Sequence, residues 1–449
     1  MASSAIVWFR RDLRLHDHPA LHAAVERFER VTCAFVLDDA LLEGRYSSPT
    51  RVRFMLACLE ELDAALRARG GGGLVVLRGR PERELPELAR ATGASAVLWS
   101  ADVSPYARRR DARVTDALRE GGVEARPLGG TYVVDDVTAP GTQQVFSPYF
   151  RAWERQPRRD PLPAPGSVPA GSVPAGMGVC PPTRMSIGGL SPGTDEYRGS
   201  VPDPIRAPGE AAGRKALDEW FSGPLDDYRQ GLRSSVLSPY LRWGCLSPRE
   251  CEARAHAHGG KGARAWAREL AWRDFYAQTL LTHPANVGTE QQARMRDLEY
   301  EDHPDRLQAW KEGRTGFPFV DAGMRQLTAQ GWMPNRLRLV TASLLTKELQ
   351  LDWRAGEEHF SRLLLDGDPA QNNGNWQWIA SVGTDPAPYF RRMYSPERHQ
   401  ERFDPQGEYV RRWIPELGTP DYPAPIVDRR AGRERAKERY NAAAASATA

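Results

Sequence analysis

The sequence predicts an α/β N-terminal domain with a parallel sheet, joined by a long linker to an all-α domain. Three observations predict it. Over residues 1–130 short apolar runs alternate with helical periodicity, the pattern of strands connected by helices. Residues 162–193 turn to Pro, Gly, Ser and Ala, including the doubled pentad GSVPAGSVPAG, which reads as a linker of polyproline character. Beyond residue 208 long helical patterns dominate and β-branched runs are few. A chain of 449 residues is also too long for one ordinary core. The resulting division is an α/β domain over 1–130, a linker over 131–207, a helical domain over 208–430 and a disordered tail over 431–449.

The strands are expected at AIVWF (5–9), VTCAFVL (31–37), GLVVL (73–77), SAVLWS (95–100) and, more weakly patterned, VEARPL (123–128). Helical periodicity fills 50–69, 81–92 and 105–120 between them. The run RGGGG (69–73) precedes a strand instead of opening a helix, so it fails as a dinucleotide-binding fingerprint and reads as a helix end and turn. In the second half, helices are expected at 209–222, 238–257, 262–282, 319–330, 335–350 and 355–365.

Composition excludes several classes. Hydrophobic content of 41% with 27% charge is that of a globular chain, and a formal charge of +3 points to no partner by itself. The N-terminal MASSAIVWFRRDLRLHD meets charge too early for a secretory signal, and no apolar stretch approaches the roughly 20 residues that cross a bilayer. Cys33, Cys58, Cys180, Cys245 and Cys251 show no metal-ligand spacing, so no metal is expected and the thiols read as those of a cytoplasmic protein.

Four stretches carry chemistry. In RSSVLSPYLRWGCLSP (233–248), Ser234, Ser235 and Ser238 precede a helix whose N-terminal N–H groups suit a phosphate, with Ser238 as N-cap. Serine capping is common, so this stretch alone carries little. In WARELAWRDFYAQ (266–278), Glu269, Trp272, Arg273 and Tyr276 share one helical face, where a carboxylate and a guanidinium are costly as mere packing. In GWMPNRLRLVTASLL (331–345), Arg336 and Arg338 near a helix start oppose its dipole, which calls either for an anion or for a solvated surface. The stretch DGDPAQNNGNWQW (366–378) packs two acids, three asparagines and two indoles together. Each element reads as an Asx-rich helix start or a core indole, but the combination does not.

These stretches, with VWFRRDLRLHDHPAL (7–21) and FPFVDAGMRQL (317–327), resemble the DNA photolyase and cryptochrome family in order over nearly the whole chain. The likeness is greatest to class I photolyases acting on cyclobutane pyrimidine dimers. It implies a Rossmann-like sheet, an all-α FAD-binding domain, and light-driven dimer repair in DNA by electron transfer from excited FADH⁻. The alternative it leaves is a cryptochrome-type blue-light photoreceptor without repair, although the short alanine-rich end RERAKERYNAAAASATA (433–449) lacks the long extension that signalling members often carry.

By this resemblance Ser234, Ser235, Val236, Leu237 and Ser238 would cradle the FAD phosphates, with Tyr228 and Arg273 as further flavin contacts. Arg338 and Asp366 would pair beside the flavin ring, Asp368 would neighbour it, and Asn372 would face its N5 and govern protonation. Glu269, Trp272, Asn335 and Trp378 would form the lesion pocket, with Tyr276 and Leu339 beside them and Arg336, Arg391, Arg392 and Arg398 on DNA phosphates. Leu339 stands where the dimer-repairing branch usually has methionine, a nearly volume-conserving change that loses sulfur polarizability. Pro334-Asn335 argues against the six-four photolyases, which carry a histidine pair there. Trp376 and Trp353 would begin an electron relay that ends on Tyr300, where the family usually has tryptophan. A second antenna chromophore, deazaflavin rather than folate, is expected from 101–114 and 51–56. The expected partner is dimer-containing DNA, met by a monomer.

Overall fold

The computed structural model describes residues 3–173, 204–228, 232–385 and 387–446, so Cys180 and the linker over 174–203 lie outside the described residues. The N-terminal half is a five-stranded, wholly parallel sheet in the order β3-β2-β1-β4-β5. Its strands are β1 (Ser4–Phe9), β2 (Arg30–Leu37), β3 (Leu74–Arg78), β4 (Ala96–Ser100) and β5 (Glu124–Leu128), all at the expected places. Helices α1 (Pro19–Arg27), α2 (Pro49–Arg67), α3 (Pro81–Thr92) and α4 (Pro105–Glu120) connect them. Each opens with proline in its first turn, where the missing N–H has no partner to lose. Side chains alternate between faces: Ala5, Val7 and Phe9 enter one core, while Ile6 and Trp8 enter another against α3 and α4. The RGGGG run ends α2 as expected, with the Gly71 N–H donating to the Leu66 carbonyl at 3.0 Å.

Residues 131–173 depart from the linker expectation. They contain α5 (Phe146–Glu154) and pack firmly on both halves. The N–H groups of Val133 and Val134 and the Trp153 indole all donate to the buried Asp274 carboxylate, and Val168–Gly171 returns to the start of β2. Composition marks this segment only by its prolines and glycines; two buried carboxylates distant in sequence organise it, Asp274 and Asp17, the latter accepting from the Leu162 N–H at 3.0 Å.

The C-terminal half is helical: α6 (Glu210–Phe221), α7 (Ser238–Trp243), α8 (Pro248–His258), α9 (Gly260–Thr282), α10 (Pro304–Glu312), α11 (Pro318–Gln330), α12 (Asn335–Ser343), α13 (Trp353–Leu363), α14 (Pro369–Ala380) and α15 (Arg429–Ser446). The pattern over 238–257 is two helices, because Gly244 turns left-handed (φ 66°) and Ser247-Pro248 starts a new cap. The pattern over 335–350 is α12 followed by one π-type turn, Leu344–Glu348. The expected tail is corrected too: α15 buries Ala436, Tyr440 and Ala443, and the Tyr440 hydroxyl accepts from Lys347 Nζ at 2.7 Å. Alanine favours helix and lets it lie close to its neighbours.

Two cores divide the helical half differently from the linker. One runs from the inner sheet face through α6–α9, and the other gathers α10–α15. Among the described residues no helix is long and apolar enough to cross a membrane.

Candidate functional site

A cavity of about 400 Å³ opens at the seam between those two cores. From one side α9 supplies Glu269, Trp272, Arg273 and Tyr276; from the other come Asn335, Arg338 and Leu339 of α12 and Trp378 of α14. Tyr228, Ser234, Ser235, Leu237 and Ser238 close it. A smaller cavity of about 80 Å³ shares Asn335, Arg338, Asp366 and Asp368 with it and reaches Asn372 and Trp376.

Helix α14 explains how so short a stretch serves both. Asp368 is its N-cap, accepting from the N–H groups of Ala370 and Gln371 at 2.9 and 3.1 Å, with Pro369 beginning the first turn. From that start Asp368, Gln371, Asn372, Asn375, Trp376 and Ile379 fall on one face and line the smaller cavity, while Trp378 turns to the larger. Two glycines permit the approach of neighbouring rings. A Cβ at Gly374 would meet Tyr276 Cδ1 at 2.1 Å, and one at Gly356 of α13 would meet the Trp376 ring at 2.2 Å.

The cavity floor is an organised set of charges. Arg338 grips Asp366 with both amino groups, at 3.1 and 2.8 Å, a bidentate pair. Ser238 donates its hydroxyl to Asp366 at 2.5 Å and accepts from the Trp332 indole at 3.3 Å, so it is not the N-cap expected of it; Leu237 holds that position without a side-chain bond. Asp368 pairs with Arg11 of the α/β half. Burial raises the Asp368 carboxyl, but Arg11, Arg242 and Arg273 more than reverse this and hold it below its ordinary range. Arg242 donates to the Gly367 carbonyl at 2.6 Å, and its Nη1 is buried without a partner among the described residues. Burial and the neighbouring Arg11 push its pKa down to about 9.

The two indoles of the larger cavity are each backed by protein. Phe146 of α5 stacks on Trp272 with centroids 3.6 Å apart and planes at 6°, and the Arg392 guanidinium covers Trp378 at 4.4 Å. Glu269 and Asn335 are exposed where they line it. Asn372 donates from its amide to the Glu357 carbonyl at 2.9 Å and to Ser361 Oγ at 2.7 Å.

Other expected residues lie elsewhere. Arg392 is buried, 2% exposed, and its 2.6 Å pair with Asp385 makes it a prop for Trp378 and not a surface phosphate contact. Tyr276 is likewise buried and reaches the cavity from within, not from an outer DNA-facing surface. Val236 lines neither cavity; its left-handed backbone (φ 50°), unusual for a β-branched residue, turns the chain between Ser235 and Leu237. Arg336 lies over the Phe403 ring, while Arg391 and Arg398 are exposed. Trp353 and Tyr300 line neither cavity and share a carboxylate, Glu290. Residues that motif reasoning misses include Gln371, Asn375, Arg242 and Trp332. A helical count from Pro369 finds the first two; nothing local marks the others.

Residues 5–166 match the family model described as DNA photolyase, and residues 266–420 that described as FAD binding domain of DNA photolyase. A deoxyribodipyrimidine photo-lyase of Streptomyces griseus is 40% identical over 96% of this chain and 98% of its own. An archaeal photolyase of Sulfolobus tokodaii, described with two FAD molecules, superposes with a TM-score of 0.85 at 30% identity, covering 98% of this chain and all of that one. A Synechocystis cryptochrome shares the fold with a TM-score of 0.86 at 26% identity, over 98% and 99%. The chain belongs to the DNA photolyase family.

Proposed function

We propose that this protein is a deoxyribodipyrimidine photo-lyase, an FAD enzyme that repairs cyclobutane pyrimidine dimers in DNA under light. One observation carries the reading: two protein-backed indoles, Trp272 and Trp378, reach one cavity from opposite cores, with Glu269 and Asn335 exposed beside them. Such a slot suits bases turned out of a duplex, because indole faces stack on pyrimidines and polar groups meet their edges. Shared naming of full-length relatives supports it.

The residues fit a flavin dinucleotide. Arg242 Nη1 needs an acceptor that the described residues do not provide, the surrounding guanidinium groups favour an anion, and the hydroxyls of Ser234 and Ser235 line the same wall. When bound, the flavin supplies the light-driven electron. Arg338–Asp366 and Asp368 would hold its ring system, and Asn372 would control the proton at its N5. Glu269 and Asn335 would bond pyrimidine edges, and Leu339 would close the pocket between lesion and flavin. Arg336, Arg391 and Arg398 would meet phosphates, making binding salt-dependent. Trp376, Trp353 and Tyr300 would refill the flavin with electrons. In the α/β half we place an antenna chromophore of deazaflavin class, and we assign the protein to the cytoplasm as a monomer. Its four described cysteines are free thiols, as a reducing compartment requires.

The test is to illuminate fully reduced, flavin-loaded protein with dimer-containing DNA and follow the lesion by chromatography. Light-dependent loss is expected, and W378A is expected to weaken lesion binding by about 1–3 kcal/mol, the worth of one stacked base. Persistence of the lesion under light with reduced wild-type protein would refute the proposal.

A further inference from the structure

The outermost residue of the proposed relay sits in an unusual setting. The Tyr300 hydroxyl donates to Glu290 Oε1 at 3.0 Å, and the Trp353 indole N–H donates to that same oxygen at 3.1 Å. The phenol oxygen and indole nitrogen therefore lie within about 6 Å of each other. Glu290 is only 3% exposed, and its other oxygen pairs with Arg354 at 2.6 Å. Arg354 and Arg439 stand over the Tyr300 ring at 6.0 and 5.5 Å. No motif in the sequence touches Glu290.

Tyrosine differs from tryptophan in what oxidation demands. A phenol that loses an electron must also lose its proton, and here two guanidinium groups repel any positive charge left on the ring. Burial, and then the Glu290 charge, push the Tyr300 phenol far above its ordinary range, so its proton is present at rest and must leave on oxidation. A carboxylate that only tied the loop to α13 would need no contact with either oxidisable ring. This one bridges both.

We propose that Glu290 is the proton acceptor for oxidation of Tyr300, an inference that rests on the relay reading above. With an oxidised flavin bound and excited, Trp376 would give up one electron, Trp353 would refill Trp376, and Tyr300 would refill Trp353. In that last step Tyr300 passes one electron to Trp353 and its hydroxyl proton to Glu290 Oε1. The products are a neutral tyrosyl radical, a neutral indole that keeps its N–H, and a protonated Glu290. The positive charge thus leaves the rings, and the electron has no cation to return to.

The experiment is flash photolysis of the full, flavin-loaded chain with oxidised flavin, read by transient absorption and electron paramagnetic resonance in H₂O and D₂O. Wild type is expected to give a tyrosyl radical that forms more slowly in D₂O; the absence of an isotope effect overturns the proposal without any variant. E290Q is expected to slow tyrosyl formation about 100-fold, the loss of a positioned proton acceptor, while the first indole oxidation and the flavin spectrum persist. An E290Q protein that forms the radical at the wild-type rate overturns it. Y300W removes the need for a proton acceptor, so adding E290Q to Y300W is expected to change nothing; a large further slowing assigns Glu290 a merely structural role. If W376F leaves photoreduction intact, the relay reading itself fails. If W376F blocks it while E290Q is silent, only the Glu290 assignment fails.

Discussion

At the scale of single residues, Asp274 shows how much can hang on one buried carboxyl. It receives two backbone N–H groups at 3.4 and 3.1 Å and the Trp153 indole at 3.0 Å, fastening residues 131–154 beside Trp272 and Arg273. Burial pushes its pKa up to about 6, a shift that its donors and Arg273 only partly offset. A raised carboxyl pKa means that the folded state holds the proton more tightly than the unfolded one. Its contribution is therefore complete below about pH 4 and is lost as pH rises through 6, a swing of about 3 kcal/mol. Urea denaturation between pH 4 and 7 should show stability falling more steeply in wild type than in D274N, where Glu357, pushed up to about 7 by burial, still contributes. At neutral pH D274N should be less stable by about 2–3 kcal/mol, since its amide faces donors with a donor. The role of Asp274 is illegible in the sequence because its partners lie far away in the chain. Arg392 misleads for a related reason: an arginine beside Arg391 reads as surface charge until Asp385 and Trp378 are seen to enclose it.

At the scale of elements, α14 rewards comparison with its own sequence. Its composition suggests several tasks, but only the cap at Asp368 sets the helical phase that sorts them. Gly374 is the contact point with α9. Glycine to alanine inside a helix ordinarily gains about 1 kcal/mol, so G374A tests the packing by its sign. Collision with Tyr276 should instead cost about 1–3 kcal/mol in thermal unfolding and lower the flavin bound per protein, by forcing α9 and α14 apart. Four of the five strands are plainly legible, since buried parallel strands are continuous apolar runs; β5, half exposed at the sheet edge, is patterned only weakly. The α7–α8 break and helix α15 are less so: the first depends on one left-handed glycine, the second on a partner core that turns an alanine-rich end into a buried helix.

At the scale of the molecule, the linker and the packing divide the chain differently. Residues 210–282 share a core with the sheet, and residues 295–443 form their own apart from Leu365 and Ala370, which join the first. Composition changes at the linker and so reveals only the covalent division; the second depends on which helices meet, which periodicity does not encode. A ligand held by both sides joins the two cores, because binding to the native state alone stabilises it. Calorimetry of the flavin-loaded protein should show one transition. After flavin removal two are expected, with amides of α10–α15 exchanging before those of the sheet; a single unchanged transition would contradict the seam. The same arrangement bears on selectivity. Trp272 and Trp378 belong to different cores, so the aperture between them is a dimension of the whole molecule rather than of its lining. If that aperture is the proposed lesion slot, a substitution that swells either interior, however remote, would reset the gauge by which a fused pair of bases is told from a single one.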